Sequence, residues 1–345
     1  MRAQLCYTRL IMTEPTPQKF RALVARTEDG KVSATVEDAD DSLLAEGDAV
    51  VRVRWSGVNY KDALAVTGKG KILRASPIIP GVDYAGEITE DVGNFRAGDV
   101  VALTGKSVGE QHSGGFAQFA RISADWLTKL PANINARQAM TCGTAGVTAA
   151  LCVLALRDSG HVKEGGVVAV SGASGGVGSF AIRLLAKLGY KPTAISRPAA
   201  AEYLTQIGAA EVISREEMSA DARPLEKARW DGAVDTVGGS ILARLLAETR
   251  YGGVVAACGL AADVKLPTTV MPFILRGVRL DGVDSVMIPD SLRARAWALL
   301  ADTLEDADYT AVEAETIGLG GIVDAGHKVL AGDFNGRIVV SPDSE

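Results

Sequence analysis

The sequence predicts a two-domain α/β protein in which a barrel-like antiparallel domain is followed by a doubly wound domain with a parallel sheet. The first observation is length, because 345 residues are roughly twice the size of a common domain. The second is a change near residue 142, where short alternating strands give way to apolar strands that alternate with helices. The third is a glycine-rich turn at residues 171–178, between the first apolar strand and its helix.

Composition and charge exclude several classes of protein. With 47% apolar and 23% charged residues, the chain is globular rather than disordered. The net charge of −6 argues against broad nucleic-acid binding, which requires a basic surface. No apolar run approaches the roughly 18 residues of a membrane span, so we expect a soluble, cytoplasmic protein. The cysteines are too few and too scattered for a disulfide framework: Cys6, Cys142, Cys152 and Cys258.

Short strands separated by turn residues are typical of the first domain. Ala49–Trp55 alternates apolar and polar side chains, as a half-buried strand does, and Gly81–Ile88 and Asp99–Leu103 are further short strands. Residues 1–18 precede this pattern and are expected to form a loose tail, because their prolines and threonines do not favour a regular element. The sequence therefore assigns 19–145 to this first, antiparallel domain.

The C-terminal segment, residues 287–345, is expected to return to the first domain, which otherwise lacks a helical cover. Its sequence predicts helices at Ser291–Thr303 and Gly320–Leu330 and a last strand at Arg337–Val340. The first domain thus consists of two separate stretches of chain, with residues 146–286 inserted between them.

Six apolar strands define the doubly wound domain, residues 146–286. Uninterrupted apolar strands with helices or longer crossovers between them indicate a parallel sheet covered on both faces. Helices are predicted before the first strand, at Ala145–Leu156, and after it, at Ser179–Leu188. In chain order the predicted strands are Gly166–Val170, Pro192–Ile195, Glu211–Ile213, Ala233–Thr236, Gly253–Ala257 and Val278–Val283.

The turn Ser171-Gly-Ala-Ser-Gly-Gly-Val-Gly178 predicts a dinucleotide-binding site. Its glycines permit a tight turn and a close approach of the backbone to a pyrophosphate, and Gly178 lets helix and strand pack closely. The helix that follows offers free N–H groups and a partial positive charge to the phosphates. A purely structural turn is the alternative interpretation. The turn after a strand, at the head of a βαβ series, is the context that the dinucleotide fingerprint requires.

The end of the second apolar strand indicates NADPH rather than NADH. NADH-selective sites place a carboxylate there, whereas this chain has Ser196-Arg197, a hydroxyl and a guanidinium that suit a 2′-phosphate. Arg223 is a further candidate contact, and an ordinary solvated Arg197 is the alternative interpretation. A catalytic zinc is not expected, because the cysteines lack CxxC spacing and His112, His161 and His327 are far apart.

Several segments make the chain resemble the zinc-free medium-chain dehydrogenase/reductase family and, within it, the acrylyl-CoA reductase group. The resemblance covers about residues 21–340 and implies a GroES-like antiparallel β-barrel catalytic domain plus a Rossmann doubly wound parallel-sheet domain. Ser196-Arg197-Pro198 departs from the group's pattern, in which a glycine stands beside the serine. The matching segments are Asn59–Leu64, Thr67–Ile72, Ile79–Gly86, Gly143–Gly146, Gly172–Gly178, Asp235–Gly238, Leu266–Ile274 and Gly282–Val286.

The resemblance implies that NADPH reduces the C=C bond of acrylyl-CoA to give propionyl-CoA, by hydride transfer to the β-carbon and protonation at the α-carbon. It places Tyr60 beside the nicotinamide and makes Asn59 a hydrogen-bond donor, while Asp62 is expected to be a helix N-terminal carboxylate. The proton donor, Tyr60 or water, stays open. The residues expected to bind the cofactor are Tyr60, Gly172, Ser174, Gly175, Gly176, Val177, Gly178, Ser196, Arg197, Arg223, Leu260, Ser285 and Arg337.

Lys69, Lys71 and Arg74 are candidates for binding the phosphates of coenzyme A, with a solvated basic face as the equal alternative. Likewise, Asn59-Tyr60 is alternatively a turn with a packed aromatic side chain, and Arg337 a charge at a strand edge.

Two other functions remain open. One is a zinc-free quinone or enone oxidoreductase of the same fold, and the other is an NADPH-binding protein without turnover. The apolar strand at Val278–Val283 and the family resemblance also predict a homodimer formed by extension of the sheet.

Overall fold

The computed structural model describes residues 18–220 and 222–344, so most of the predicted tail and Cys6 lie outside the described residues. The strands are β1 (Phe20–Glu28), β2 (Lys31–Ala39), β3 (Ala49–Val58), β4 (Asp83–Ile88), β5 (Val100–Thr104), β6 (Phe119–Ile122), β7 (Thr128–Lys129), β8 (Val167–Ser171), β9 (Lys191–Ser196), β10 (Glu211–Ser214), β11 (Trp230–Asp235), β12 (Thr249–Ala257), β13 (Arg279–Gly282), β14 (Glu313–Ile317) and β15 (Arg337–Val340). The α-helices are α1 (Tyr60–Val66), α2 (Ala136–Asp158), α3 (Gly176–Lys187), α4 (Ala201–Gln206), α5 (Arg215–Ser219), α6 (Gly239–Glu248), α7 (Met271–Arg276), α8 (Asp290–Thr303), α9 (Asp306–Val312) and α10 (Ile322–Ala331).

The first domain contains two sheets. β1 and β2 form an antiparallel ladder from Phe20 and Ala39 to Glu28 and Lys31. The larger sheet has the order β14-β15-β3-β4-β5-β7, and β6 also pairs with β3. Its ladders are antiparallel except for β14 with β15, which confirms the predicted class of this domain.

The C-terminal segment packs against both domains. Its last strand, β15, pairs antiparallel with β3, with Val339 opposite Gly57, and α10 packs on α1. Helix α8, in contrast, buries Trp297 and Leu300 in the same apolar core as Phe180 of α3. The residue at which the chain passes from one domain to the other therefore stays a prediction.

A six-stranded parallel sheet organises the second domain, as predicted. Its order, β10-β9-β8-β11-β12-β13, is that of a doubly wound sheet in which the chain reverses its direction of growth between β8 and β11. The carboxyl ends of these strands lie along one edge, and ligands of such sheets bind in the crevice outside that edge. The glycine-rich turn follows β8 and lies at this crevice.

Helix α2 corrects one expectation from composition. Ala136–Asp158 is long and apolar enough to cross a membrane, contrary to the prediction that no such run exists. However, 89% of its most apolar 18-residue window is buried inside the protein, as is typical of a core helix. The sequence count missed it because small polar residues, threonines and glycines, precede the predicted run Ala145–Leu156 and hid the full length of the uncharged stretch 139–156. A kink at Gly143, with φ of +51°, divides this helix into two parts.

Candidate cofactor and active site

The cofactor loop, residues 171–178, has the backbone geometry of a phosphate cradle. Gly172 has φ of +56°, and a Cβ built on Gly178 would lie 2.4 Å from the Gly172 carbonyl oxygen, so both positions require glycine. Helix α3 begins at Gly176 without any side chain capping its N-terminus. Its first N–H groups have no acceptor within the helix and face the crevice edge. These residues fit the pyrophosphate of a dinucleotide, which supplies the missing acceptors.

The hydroxyl and guanidinium groups expected to hold a 2′-phosphate lie together at one end of the crevice. Ser196, the last residue of β9, donates its hydroxyl to Ser174 Oγ of the cofactor loop at 3.0 Å. Arg197 follows at once, and its Nη2 donates to the Phe334 carbonyl at 3.1 Å and to Asn335 Oδ1 at 2.8 Å. The C-terminal segment thus anchors the Arg197 guanidinium, and its contact with a 2′-phosphate stays a prediction.

Arg223 lies elsewhere in the domain. Its segment precedes β11, and the neighbouring Glu226 N–H donates to the Ala247 carbonyl at the end of α6, just before β12 begins. This is the amino-terminal edge of the sheet, opposite the crevice. The Arg223 side chain is 78% exposed and pairs with Glu226 at 2.8 Å.

Sequence reasoning missed a better-placed basic side chain, Arg215. Ser214 ends β10 opposite Ser196 in β9, so Arg215 directly follows the neighbouring strand at the crevice edge. Its partner within the described residues is the adjacent Glu216, and both side chains are about two-thirds exposed. Its place directly after the third apolar strand was the feature of the sequence that could have indicated its position at the crevice.

The remaining predicted cofactor contacts follow two other strands at the same edge. Leu260 comes shortly after β12 and is 63% exposed, although its side chain is apolar. Ser285 comes shortly after β13, and its Oγ accepts a hydrogen bond from Thr148 Oγ1 of α2 at 2.8 Å. The fold therefore brings both residues to the crevice where the cofactor loop lies.

Tyr60 is the first residue of α1 and is 46% exposed. Its neighbours Asn59 and Asp62 form a capping box, in which the Asn59 N–H donates to Asp62 Oδ2 at 2.9 Å. The expectation that Asp62 is a helix N-terminal carboxylate is confirmed. Among the described residues the Tyr60 hydroxyl has no hydrogen-bond partner, so it is free to meet a ligand.

Asn59, Asp62, Asp83 and Arg337 form a buried polar cluster between the two domains, called here the junction cluster. Asn59 Nδ2 donates to Asp83 Oδ2 at 2.7 Å and to Asp62 Oδ2 at 3.1 Å, and Asn59 Oδ1 accepts from Arg337 Nη1 at 2.9 Å. The Asn59 amide is therefore committed to protein partners rather than directed at the crevice. Asn59 holds the backbone that precedes Tyr60.

Asp83 joins this cluster to the second domain. Its carboxylate accepts the Thr144 N–H at 2.7 Å and the Thr144 hydroxyl at 2.5 Å, and so caps the second part of α2 after the kink. A Cβ on Gly143 would lie 2.4 Å from Asp83 Oδ2, so the kink and the cap depend on glycine at this position. Sequence reasoning missed this role, although Asp83 lies in a matching segment.

Arg337 lies between the junction cluster and the cofactor loop. A Cβ on Gly176 would lie 2.9 Å from Arg337 Cδ, so the aliphatic part of this side chain contacts the loop, and its contact with the cofactor stays a prediction. The guanidinium instead donates to the Val58 carbonyl at 2.9 Å and the Thr141 carbonyl at 3.0 Å, and is buried. Its Nη2 has no hydrogen bond and lies 4.0 Å from Asp83 Oδ2.

Burial changes the acidity of the junction cluster. Desolvation, together with the nearby Asp83, raises the pKa of Asp62 to about 7. Desolvation also raises the pKa of Asp83, although Arg337 and the Thr144 hydrogen bonds oppose the shift. The pKa of Arg337 is lowered by burial and raised in turn by the two carboxylates. Two carboxyl groups near one guanidinium thus share less than two full negative charges near pH 7.

Lys69, Lys71 and Arg74 lie on the exposed loop that follows α1. None of the three side chains forms an ion pair within the part of the chain that the structure describes. Among residues 18–220 and 222–344, no group of three or more histidine, cysteine, aspartate or glutamate side chains is arranged to hold a metal ion.

Comparisons with known proteins agree with this architecture. Residues 45–132 match the family model of the alcohol dehydrogenase GroES-like domain, and residues 176–302 match that of zinc-binding dehydrogenases. The probable acrylyl-CoA reductase AcuI of Escherichia coli is 52% identical over 323 residues, which cover 93% of this chain and 99% of the relative. The acrylyl-CoA reductase AcuI of Ruegeria pomeroyi is 45% identical, over 93% of this chain and 98% of its own.

Among solved structures, the YhdH oxidoreductase of Salmonella enterica, in complex with NADP, superposes with a TM-score of 0.90. It is 51% identical and covers 93% of this chain and 99% of its own. The two-domain architecture, the cofactor loop at the crevice and these similarities over almost the full length lead to one conclusion. The chain belongs to the medium-chain dehydrogenase/reductase family.

Proposed function

We propose that the protein is an NADPH-dependent reductase that converts acrylyl-CoA to propionyl-CoA. The observation that carries the proposal is the uncapped N-terminus of α3 behind a glycine cradle, with Ser174, Ser196 and Arg197 in contact at the end of β9, where we expect a 2′-phosphate. The names of the relatives at 52% and 45% identity support the substrate. The NADP in the similar Salmonella structure supports the cofactor.

The residues of this chain then have distinct roles. When bound, NADPH supplies the hydride, which adds to the β-carbon because the thioester carbonyl withdraws electrons from the double bond. Tyr60, half exposed and without a side-chain hydrogen-bond partner among the described residues, is one candidate to deliver the proton to the α-carbon. Asn59 acts as a positioning residue, because its amide is bonded to Asp62, Asp83 and Arg337.

Three further properties belong to the same proposal. We expect the reaction to proceed without zinc, since the cofactor supplies the hydride and either Tyr60 or water supplies the proton. We expect a homodimer, because β13 is the edge strand of the parallel sheet and the neighbouring Val270 and Ile274 are 65% and 71% exposed. We also expect a cytoplasmic location, where Cys142, Cys152 and Cys258, the free thiols of the described chain, stay reduced.

The test follows the absorbance of NADPH in the presence of acrylyl-CoA. Crotonyl-CoA, a simple quinone and NADH serve as parallel controls, and Tyr60→Phe measures the contribution of the hydroxyl. We expect fast oxidation of NADPH by acrylyl-CoA and a kcat about tenfold or more lower for Tyr60→Phe if Tyr60 gives the proton. An unchanged kcat assigns the proton to water. Oxidation of NADPH by the quinone alone would indicate a quinone reductase instead. Tight binding of NADPH without any oxidation would indicate a binding protein without catalytic activity.

A further inference from the structure

A second concave surface, on the first domain and away from the cofactor loop, has no role in the reaction described above. It is a groove of about 530 Å³ between three loops, called here the side groove. One wall is formed by residues 42–46, the second by residues 75–78, and the third by residues 111–113 with Ser123 and Trp126.

The walls of the side groove are held in place by hydrogen bonds. Arg121 Nε donates to the Ala45 carbonyl at 2.8 Å, and its Nη1 donates to Asp41 at 2.7 Å, which fixes the first wall. Ile78 exchanges backbone hydrogen bonds with Ala25 of β1, which fixes the second. The Gly109 N–H donates to the His112 carbonyl at 2.8 Å in the third. The groove is therefore preformed, so a ligand does not have to order these loops on binding.

The lining of the side groove suits a flat, nitrogen-containing ring. The rings of His112 and Trp126 meet edge to face, with their centroids 5.3 Å apart, and both side chains are half-buried. Leu43 and Pro77 add apolar surface, and the polar lining residues Ser42, Glu46, Gln111, Ser113 and Ser123 offer hydrogen-bonding groups. Aromatic faces for stacking, together with polar groups for ring nitrogens, are what a purine base requires.

Positive charge lies on the loop segment that leads into the second wall of the side groove. Arg74 directly precedes Ala75 of the second wall, and Lys69 and Lys71 stand a few residues earlier on the same loop. All three side chains are exposed and none has a carboxylate partner within the described residues, although the chain as a whole is acidic. Unpaired cations beside a base-sized groove are complementary to the phosphates of a nucleotide.

A short series of contacts connects the side groove to Tyr60. The Arg74 N–H donates to the Glu110 carbonyl at 2.8 Å, next to Gln111 of the groove. The carboxylate of Glu110 pairs with Lys61 Nζ at 3.1 Å, and Lys61 is the residue after Tyr60. The side groove and Tyr60 are therefore linked through Glu110.

We propose that the side groove binds the adenosine 3′-phosphate moiety of coenzyme A, with the base against Trp126 and His112 and the phosphates beside Arg74. The proposal rests on the proposed function, in which the acyl group at the other end of the coenzyme reaches Tyr60. The adenine of NADPH does not compete for the groove, because the crevice of the parallel sheet receives that cofactor.

Kinetics with a full-length and a truncated substrate test the proposal. Acrylyl-CoA carries the adenosine moiety, whereas acrylyl-pantetheine lacks it and keeps the reactive end. Trp126→Ala and Arg74→Ala should each raise KM for acrylyl-CoA on the order of tenfold, the loss expected for one base–aromatic or phosphate contact. KM for acrylyl-pantetheine should stay unchanged. Trp126→Phe should restore most of the affinity, and Arg157→Ala, an exposed arginine at the end of α2, is the matched control.

Equal effects on both substrates, or no effect on either, would overturn the side-groove proposal while the proposed function stands. If the wild-type protein reduces neither substrate, the proposed function fails. Calorimetric titration with coenzyme A itself then tests whether the groove binds this molecule. Binding to the wild-type protein that is weakened about tenfold by Trp126→Ala would support the groove as a coenzyme A site. Absent binding, or binding that is equal in the two proteins, would refute it.

Discussion

The cofactor loop and the junction cluster lie next to each other, in contact through Gly176 and Arg337, yet they treat polar groups in opposite ways. In the loop, the first N–H groups of α3 have no side-chain cap. In the junction cluster, both carboxylates and the Asn59 amide are bonded to protein groups, and the Nη2 atom of Arg337 is the one nitrogen of that guanidinium without a hydrogen bond.

This difference distinguishes a site that binds a ligand from one that fixes the relative positions of the elements around it. Free backbone donors at a helix N-terminus gain most when an anion supplies the acceptors. Buried charges are tolerated only when their partners are already in place, so a cluster whose polar atoms are bonded, except for Arg337 Nη2, rigidifies the elements that it joins. The loop should therefore respond to substitutions in affinity, and the junction cluster in stability.

The largest expected effect is a loss of stability on substitution of a residue in the junction cluster. Asp83→Ala should lower the free energy of unfolding by about 3–5 kcal/mol, because it leaves the buried Arg337 without its carboxylate and removes the cap of Thr144. Urea unfolding measures this change. The matched control is Glu37→Ala, which breaks an ion pair with Arg26 that is about one-third exposed and should cost less than about 1 kcal/mol. Losses of similar size at both positions would contradict a structural role of the cluster.

A smaller effect is expected in the loop, where a substitution should weaken NADPH binding as well as the packing of α3 on β8. Gly178→Val should weaken NADPH binding on the order of 100-fold, which is about 2.7 kcal/mol, because its side chain meets the Gly172 carbonyl and displaces the cradle. Fluorescence titration with NADPH measures the affinity, and the melting temperature controls for folding. Gly320→Ala is the matched control, since a Cβ there meets nothing within 4 Å. If Gly178→Val binds NADPH as tightly as the wild-type protein, the loop is not part of the cofactor site.

The smallest effect concerns selectivity between the two cofactors. Arg197→Glu should raise KM for NADPH about tenfold more than KM for NADH, because a carboxylate repels the 2′-phosphate. Arg215→Glu should act in the same direction, since Arg215 follows the neighbouring strand at the crevice. Arg223→Glu should leave the ratio unchanged, because Arg223 pairs with Glu226 at the other edge. Steady-state kinetics with both cofactors give the ratios, and an equal rise for NADPH and NADH would refute the assignment of Arg197.

Much of the fold was predictable because its signals are local. The strands of the parallel sheet are runs of apolar residues, and each of the six predicted strands overlaps an observed one, β8 to β13. The count of apolar runs was wrong for α2, because Thr141, Gly143 and Thr144 hid the full length of its uncharged stretch. Arg223 was selected for its charge, although its segment leads to the wrong edge of the sheet.

The sequence by itself determined where the chain turns tightly, which segments are apolar, and that a glycine cradle precedes a helix, since these depend on neighbouring residues. Only the tertiary structure decided the junction cluster. It joins Asn59 to Asp83, 24 residues away, Asp83 to Thr144, 61 residues away, and Asn59 to Arg337, 278 residues away. No local periodicity encodes such pairs, because a buried polar group acquires its partners only when separate elements pack together.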